Sequence, residues 1–316
     1  MIETSKRTVL VTGANGFVGQ HLLPALEREG WVVRRAVRRR SRMDNEVVIG
    51  SIGPETDWAD ALRGVDAVVH LAARVHQHND RGAERLYRSV NTDGTLHLAR
   101  RAIEAGVRHF IFVSTVLVYG RTSDGRPPFR EGDALTPLGL YGKSKAEAEI
   151  GLASLARLSD MCITVVRPPL VYGSGAKGNF SSLVRAVNLG LPLPFAAIDN
   201  QRAFVSVQNL CSFITYRLAN PVAKFDVFLV ADKEQVSTPD FVRRLAKASG
   251  VRARLFPLPT PVLSQLLKFG GLSSARESLI GSLQLNIAKA TATGWQPPFT
   301  LDEGLRLALS DMDACC

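Results

Sequence analysis

Short apolar runs alternate along this chain with longer stretches whose apolar positions recur at helical spacing. Runs near residues 8–12, 31–37, 47–49, 67–71, 109–113 and 163–167 are rich in Val, Ile, Ala and Phe. Strands covered by helices on both faces read this way. Between them, residues 18–29, a short segment around 58–63, and residues 84–105 and 141–158 carry the helical pattern. Strand and helix in alternation predict an α/β fold built on a doubly wound parallel sheet. After Pro168-Pro169 the texture changes to Gly/Pro-punctuated segments at 173–178 and 190–194. There the chain is expected to cross into a smaller α/β substrate domain. The runs 203–207 and 227–230 are expected to return to the first sheet, which makes the second domain discontinuous. The expected division is therefore 1–168 plus about 200–231, against about 169–199 plus 232–316.

Composition narrows the class. With 316 residues, 46% hydrophobic and 22% charged, the chain can bury a core without disulfide or metal staples. Cys162, Cys211, Cys315 and Cys316 form no C-x-x-C and no Cys/His cluster, so reduced thiols and no metal site are expected. The start runs from polar residues directly into Val9-Leu10-Val11, and no apolar run reaches the roughly 18 residues of a membrane span. A cytoplasmic protein without a membrane span is expected. The net charge of +10 suits an anionic partner, and much of it is local, at Arg34, Arg35, Arg38, Arg39, Arg40 and Arg42.

Between the first expected strand and helix lies Gly13-Ala14-Asn15-Gly16-Phe17-Val18-Gly19. Gly13 permits the tight turn, Gly16 lets backbone N–H groups and the helix N-terminus approach a pyrophosphate, and Gly19 lets the helix press on the sheet. A Rossmann-type dinucleotide site is expected, because the glycines sit between strand and helix as such a site requires; the plainer reading is a tight strand-to-helix turn with no ligand. About twenty positions on, where an NAD-selective site places a carboxylate, the chain carries Val37-Arg38-Arg39-Arg40. Guanidinium groups there suit the 2′-phosphate of NADP, so NADP(H) is the expected cofactor, with NAD the other possibility. A solvated basic loop and a nucleic-acid patch are the competing readings. No recognition motif accompanies the charge, which argues against nucleic acid.

Tyr141 and Lys145 stand four residues apart on one side of an expected helix, and Ser114-Thr115 end an expected strand at the edge where open α/β sheets bind ligands. Together with His70-Leu71-Ala72-Ala73, Val90-Asn91-Thr92-Asp93-Gly94-Thr95, Val118-Tyr119-Gly120, Arg167-Pro168-Pro169-Leu170-Val171-Tyr172-Gly173 and Gly294-Trp295-Gln296-Pro297, they appear in the order of one family. Over nearly its whole length the chain resembles the extended short-chain dehydrogenase/reductases, which include nucleotide-sugar epimerases, dehydratases and keto-reductases. The resemblance implies Tyr141 as proton donor and acceptor, Lys145 as its activator and a ligand of the nicotinamide ribose, and Thr115 as the hydroxyl on the reacting sugar oxygen. It places Leu71, Ala72, Ala73 and Ser114 along the cofactor and Pro168 near the nicotinamide. A phenol that donates a proton to a developing alkoxide is what carbonyl reduction needs, and a nearby ammonium lowers its pKa. The plainer readings are that Thr115 caps the next segment and that Asn91 bridges helix and strand.

Dehydratases of this group carry an acidic pair after the catalytic threonine; here Val116 and Leu117 stand there, which argues against dehydration. The resemblance further implies a UDP-sugar substrate held by Asn179, Phe180 and Arg202, and a homodimer through the helices at 84–105 and 141–158. The family's arginine before residues 285–289 is displaced here to Arg276, ten positions before Asn286. The likeness is strongest to surface-polysaccharide enzymes that reduce a UDP-4-keto-6-deoxy-N-acetylhexosamine at C4. A UDP-hexose or UDP-N-acetylhexosamine 4-epimerase with tightly bound NAD is the close alternative. An NADP-sensing Rossmann protein without catalysis is the alternative of another class, and such proteins commonly lose the Tyr/Lys pair that this chain keeps.

Overall fold

The computed structural model describes residues 7–41, 43–75, 82–221, 223–269 and 273–310. Two compact units emerge. The first holds the described residues up to Tyr119, with Ala134–Arg167 and Cys211–Phe228; the second holds Gly120–Asp133, Pro168–Leu210 and the described residues from Leu229 onward.

The first unit is built on a sheet of β1 (Thr8–Thr12), β2 (Val32–Val37), β3 (Glu46–Val48), β4 (Ala67–His70), β5 (His109–Val113), β6 (Cys162–Arg167) and β9 (Phe225–Leu229). Their order is β3-β2-β1-β4-β5-β6-β9, and the strands from β3 to β6 pair in parallel. This is the doubly wound Rossmann arrangement, with the order reversing between β1 and β4. Helices α1 (Phe17–Arg28), α2 (Ala59–Leu62), α3 (Ala83–Tyr87), α4 (Gly94–Glu104), α5 (Gly139–Arg157) and α7 (Val207–Ala219) connect the strands. One core cluster packs Leu10, Val68, Phe110 and Phe112 of the sheet against Leu98 and Leu152 of α4 and α5. Trp58, just before α2, is fully buried in it.

The stretch 84–105, expected as one helix, is divided. A π-helical segment, Arg88–Asp93, separates α3 from α4. The wider turn carries Asn91, which is wholly buried and bonded to two other segments. Such π segments commonly mark functional positions.

The second unit contains a two-stranded parallel sheet, β7 (Leu170–Tyr172) with β8 (Phe204–Ser206), and helices α6 (Asn179–Asn188), α8 (Thr238–Ala248), α9 (Thr260–Phe269), α10 (Ser273–Ile280), α11 (Ala288–Ala292) and α12 (Leu301–Ser310). The run 203–207 was expected in the first sheet, but β8 pairs with β7 instead. Only β9 of the two returning runs joins the large sheet. Pro168-Pro169 ends β6, and the chain that restarts at Leu170 supplies β8 with its partner.

Two buried histidines make the first unit acid-labile. Burial, helped by Lys145, pushes His70 down to about 3, and burial with Arg217 pushes His109 down to about 4. Both folded values lie below the unfolded one, so the unfolded chain takes up protons first as pH falls, and stability drains away from about pH 6.5 downward. Each histidine contributes a loss of about 2 kcal/mol by about pH 5. Urea midpoints at pH 7 and pH 5 check this; a His109→Gln variant with an undiminished pH 5 loss would exclude His109 as a source.

Candidate active site

Parallel pairing aligns the strand ends. Thr12 lies in register with Ala36 of β2 and His70 of β4, and His70 with Phe112 of β5. The segments that follow, Gly13–Gly19, Arg38–Arg39, Leu71–Ala73 and Ser114–Thr115, therefore share the carboxyl edge of four neighbouring strands. This is where open α/β sheets bind ligands, at the point where strand order reverses.

The glycine loop fits a dinucleotide. Gly13 has φ +70°, and a Cβ there would fall 2.8 Å from the backbone nitrogen of Ala72. A Cβ on Gly19 would lie 2.4 Å from the Gly13 carbonyl oxygen, so only glycine lets α1 start this close to the turn. Gly16 caps α1 without a side chain, and no acidic residue stands in the first turn. The helix thus presents its unsatisfied N–H groups and positive end. Asn15 and Gly16 are exposed, while Phe17 and Val18 are half-buried, with Phe17 packed edge-on against His21 at 5.6 Å.

The arginine cluster divides into two kinds. Arg34 donates to the carbonyls of Ala61 and Arg63 at the end of α2, and Arg35 pairs with Glu27. Arg38, Arg39 and Arg40 are exposed just past β2, and among the described residues no carboxylate pairs with them.

Tyr141 and Lys145 are carried by α5, and Lys145 reaches the end of β5. Its Nζ donates to the Val113 carbonyl at 2.8 Å and lies 4.2 Å from the Phe112 ring centre. Burial pushes its pKa down to about 7, against the opposing field of Glu149. Tyr141 is half-buried, and burial together with Tyr87 raises its phenol above the ordinary value, so it holds its proton at neutral pH. Thr115 is buried and does cap the next turn, accepting from the Leu117 N–H at 3.2 Å. Its own hydroxyl proton stays available for donation. Gly142 is needed as well, because a Cβ there would lie 2.8 Å from the Leu117 carbonyl oxygen.

A chain of hydrogen bonds links these parts. The Ala72 N–H donates to Thr12 Oγ1, which lies 2.7 Å from His70 Nδ1. His70 Nε2 lies 2.9 Å from Thr95 Oγ1, whose own proton goes to the Asn91 carbonyl. Thr95 must therefore accept, which fixes the imidazole as its Nε2–H tautomer. The Asn91 amide bridges the Arg74 backbone and Ser144 Oγ, and Ser144 donates to the Tyr141 carbonyl. Asn91 is thus a bridging amide.

Beside this chain lies a buried ion pair that the sequence analysis missed. Arg167 Nε donates to both carboxylate oxygens of Glu149, at 3.2 and 3.0 Å, and its Nη1 donates to the Tyr119 hydroxyl. Ser114 donates its hydroxyl to the same carboxylate. The available signal was spacing, since Glu149 stands one helical turn after Lys145.

In the second unit two of the expected ligand groups, Phe180 and Arg202, serve the core. Phe180, expected at the substrate, is buried among Tyr172 and Phe241, because α6 turns its apolar side inward. Arg202 is buried and donates to the carbonyls of Glu277 and Gly281, and burial pushes its pKa down to about 10. Asn179 is exposed as the first residue of α6, where Gly178 is the cap. Pro168 is buried directly after β6. Arg276 is exposed and lines a cleft of about 390 Å³ with Thr122, Asp124, Ser264 and Glu277.

Residues 9–231 match the model of the NAD dependent epimerase/dehydratase family. The chain belongs to that family. A UDP-glucose 4-epimerase of Vibrio cholerae is 41% identical over 307 residues, covering 95% of this chain and 94% of that protein. An N-acetyl-alpha-D-glucosaminyl-diphospho-ditrans,octacis-undecaprenol 4-epimerase of Escherichia coli O157:H7 is 28% identical, covering 94% and 92%. Among solved structures, MoeE5 in complex with UDP-glucuronic acid and NAD superposes with a TM-score of 0.78 at 25% identity, covering 98% of this chain and all of that one. The protein is therefore an NAD-dependent epimerase/dehydratase-family enzyme of the short-chain dehydrogenase/reductase type.

Proposed function

We propose that this enzyme transfers hydride at C4 of a nucleotide sugar in the net direction of reduction, acting on a UDP-4-keto-6-deoxy-N-acetylhexosamine of surface-polysaccharide synthesis. The observation that carries the reading is the set of exposed Arg38, Arg39 and Arg40 past β2, with no carboxylate paired to them among the described residues, where a ribose-binding carboxylate would otherwise stand. A 2′-phosphate is the group these guanidinium donors suit, and an exchangeable NADPH is what a net reductase consumes. When bound, the cofactor supplies the hydride. Thr115 donates a hydrogen bond to the C4 oxygen, and Tyr141 delivers its proton as negative charge develops there. Lys145 holds the ribose and stabilises the resulting phenolate. Asn179 and the first N–H groups of α6 are assigned to the diphosphate end of the substrate, Phe180 acting through its backbone, while the buried Arg202 holds the Glu277 and Gly281 carbonyls instead of the ligand. A homodimer through α4 and α5 completes the reading, with a two-chain mass by light scattering as its check.

The 41% identical Vibrio protein favours a second reading, a 4-epimerase that uses the same side chains with NAD retained through oxidation and re-reduction. One experiment separates them. The enzyme is mixed with NADPH and the 4-keto sugar, and in parallel with UDP-N-acetylglucosamine or UDP-glucose alone. Net reduction gives NADPH consumption and a 4-hydroxy product; interconversion of the 4-hydroxy sugars without added cofactor, and no NADPH use, replaces it with epimerisation. Dissociation constants should favour NADPH over NADH, and Arg38→Ala or Arg39→Ala should each weaken NADPH about tenfold while sparing NADH. Equal binding of both cofactors by the unaltered protein would remove the argument from the arginines.

A further inference from the structure

We infer that a face of the second unit, formed by α9, the segment before it and the loop after α6, docks on an anionic lipid bilayer. Residues 251–269 and 189–198 hold Arg252, Arg254 and Lys268 and not one Asp or Glu. The two segments are laced together: Leu193 N–H donates to the Arg254 carbonyl at 2.8 Å, Phe256 N–H to the Leu193 carbonyl at 3.0 Å, and Thr260 Oγ1 to the Ala197 carbonyl at 3.3 Å. The Arg254 guanidinium lies 3.9 Å from where a Cβ on Gly190 would stand, between Leu189 and Leu191. Basic charge and exposed leucines therefore occupy the same ridge.

On α9, Leu263 is turned into the core while Val262, Leu266 and Phe269 recur at helical spacing along the exposed flank beside it. Leu266 is 57% exposed, Phe269 86% and Leu189 63%, an unfavourable apolar display in water. Ten residues of helix span about 15 Å, half of a bilayer's hydrocarbon thickness, so α9 can lie in the interface but not cross it. Among the described residues no helix is long and apolar enough to cross. An amphipathic helix with Leu and Phe on one side, flanked by arginine and lysine and free of acidic residues, has the chemistry of an interfacial anchor for negatively charged headgroups. This docking is independent of the direction of hydride transfer.

The test is co-sedimentation of the full chain with vesicles containing phosphatidylglycerol, compared with phosphatidylcholine alone. Binding is expected to the anionic vesicles at low salt and to weaken severalfold at about 0.5 M salt, where exposed charges are screened. Leu266→Ser/Phe269→Ser should lower partition about tenfold per side chain. Reversing Arg252, Arg254 and Lys268 to Glu should lower it by at least about 100-fold. All these positions are exposed and outside the catalytic groups, so turnover and circular dichroism should stay as in the unaltered protein. Protein left in the supernatant with anionic vesicles, or variants that bind as well as the unaltered chain, overturns the inference. A fall in mass by light scattering on Leu266→Ser/Phe269→Ser, without vesicle binding by the unaltered chain, assigns the face to a second copy instead.

Discussion

Tyr141→Phe lowers turnover by about two to four decades while leaving the dissociation constant of the cofactor within about twofold. The phenol carries its proton at neutral pH and can give it to the more basic alkoxide, although burial and Tyr87 raise it above its ordinary value where the nearby Lys145 was expected to lower it. Phenylalanine keeps the half-buried ring in place, so the loss falls on proton delivery rather than on packing. Lys145→Ala should damage both turnover and cofactor binding, because that side chain serves the ribose as well as the phenol. Retention of more than about a tenth of the turnover in Tyr141→Phe would assign proton donation to another group.

Glu149→Ala destabilises the first unit by about 3–5 kcal/mol, because it strands the Arg167 guanidinium in a buried site. The two side chains are 3% and 5% exposed, and Arg167 Nη2 lies 2.5 Å from the carboxylate. The Tyr119 hydroxyl and ring still touch Arg167 but carry no charge to balance its guanidinium. The melting temperature should fall on the order of 10 °C. Glu149→Gln keeps one acceptor oxygen of the two and should lose less. A melting temperature of Glu149→Ala within about 2 °C of the unaltered protein would show that water or repacking replaces the carboxylate. The same variant should slow turnover, since Ser114 adjoins Thr115 and loses its acceptor.

Much of the fold was legible because the relevant signals are local. The runs 8–12 and 109–113 coincide with β1 and β5, since a strand buried on both faces has to be continuously apolar. Gly13 and Gly19 were legible for a different reason, as the chain has no alternative to glycine where a Cβ would meet backbone at 2.8 and 2.4 Å. The Tyr141/Lys145 pair was visible as a helical spacing, and Lys145 does reach the end of β5 beside Ser114-Thr115.

Other features depended on partners far away in sequence. Periodicity marks 203–207 as seeking burial but does not say beside which strand, and β8 pairs with β7. Phe180 and Arg202 carry side chains suited to a ligand, yet one packs in an aromatic core and the other binds backbone carbonyls. Within the arginine cluster, Arg34 and Arg35 differ from Arg38 and Arg39 only through the partners that folding brings to them. The sequence by itself determined the alternation of elements, the glycine turn and the helical spacing of Tyr141 and Lys145, because each depends on the residue and its near neighbours. Tertiary structure decided strand partners, the π turn that presents Asn91, the His70 tautomer and the Glu149–Arg167 pair, because each depends on groups that meet only after the chain has closed on itself.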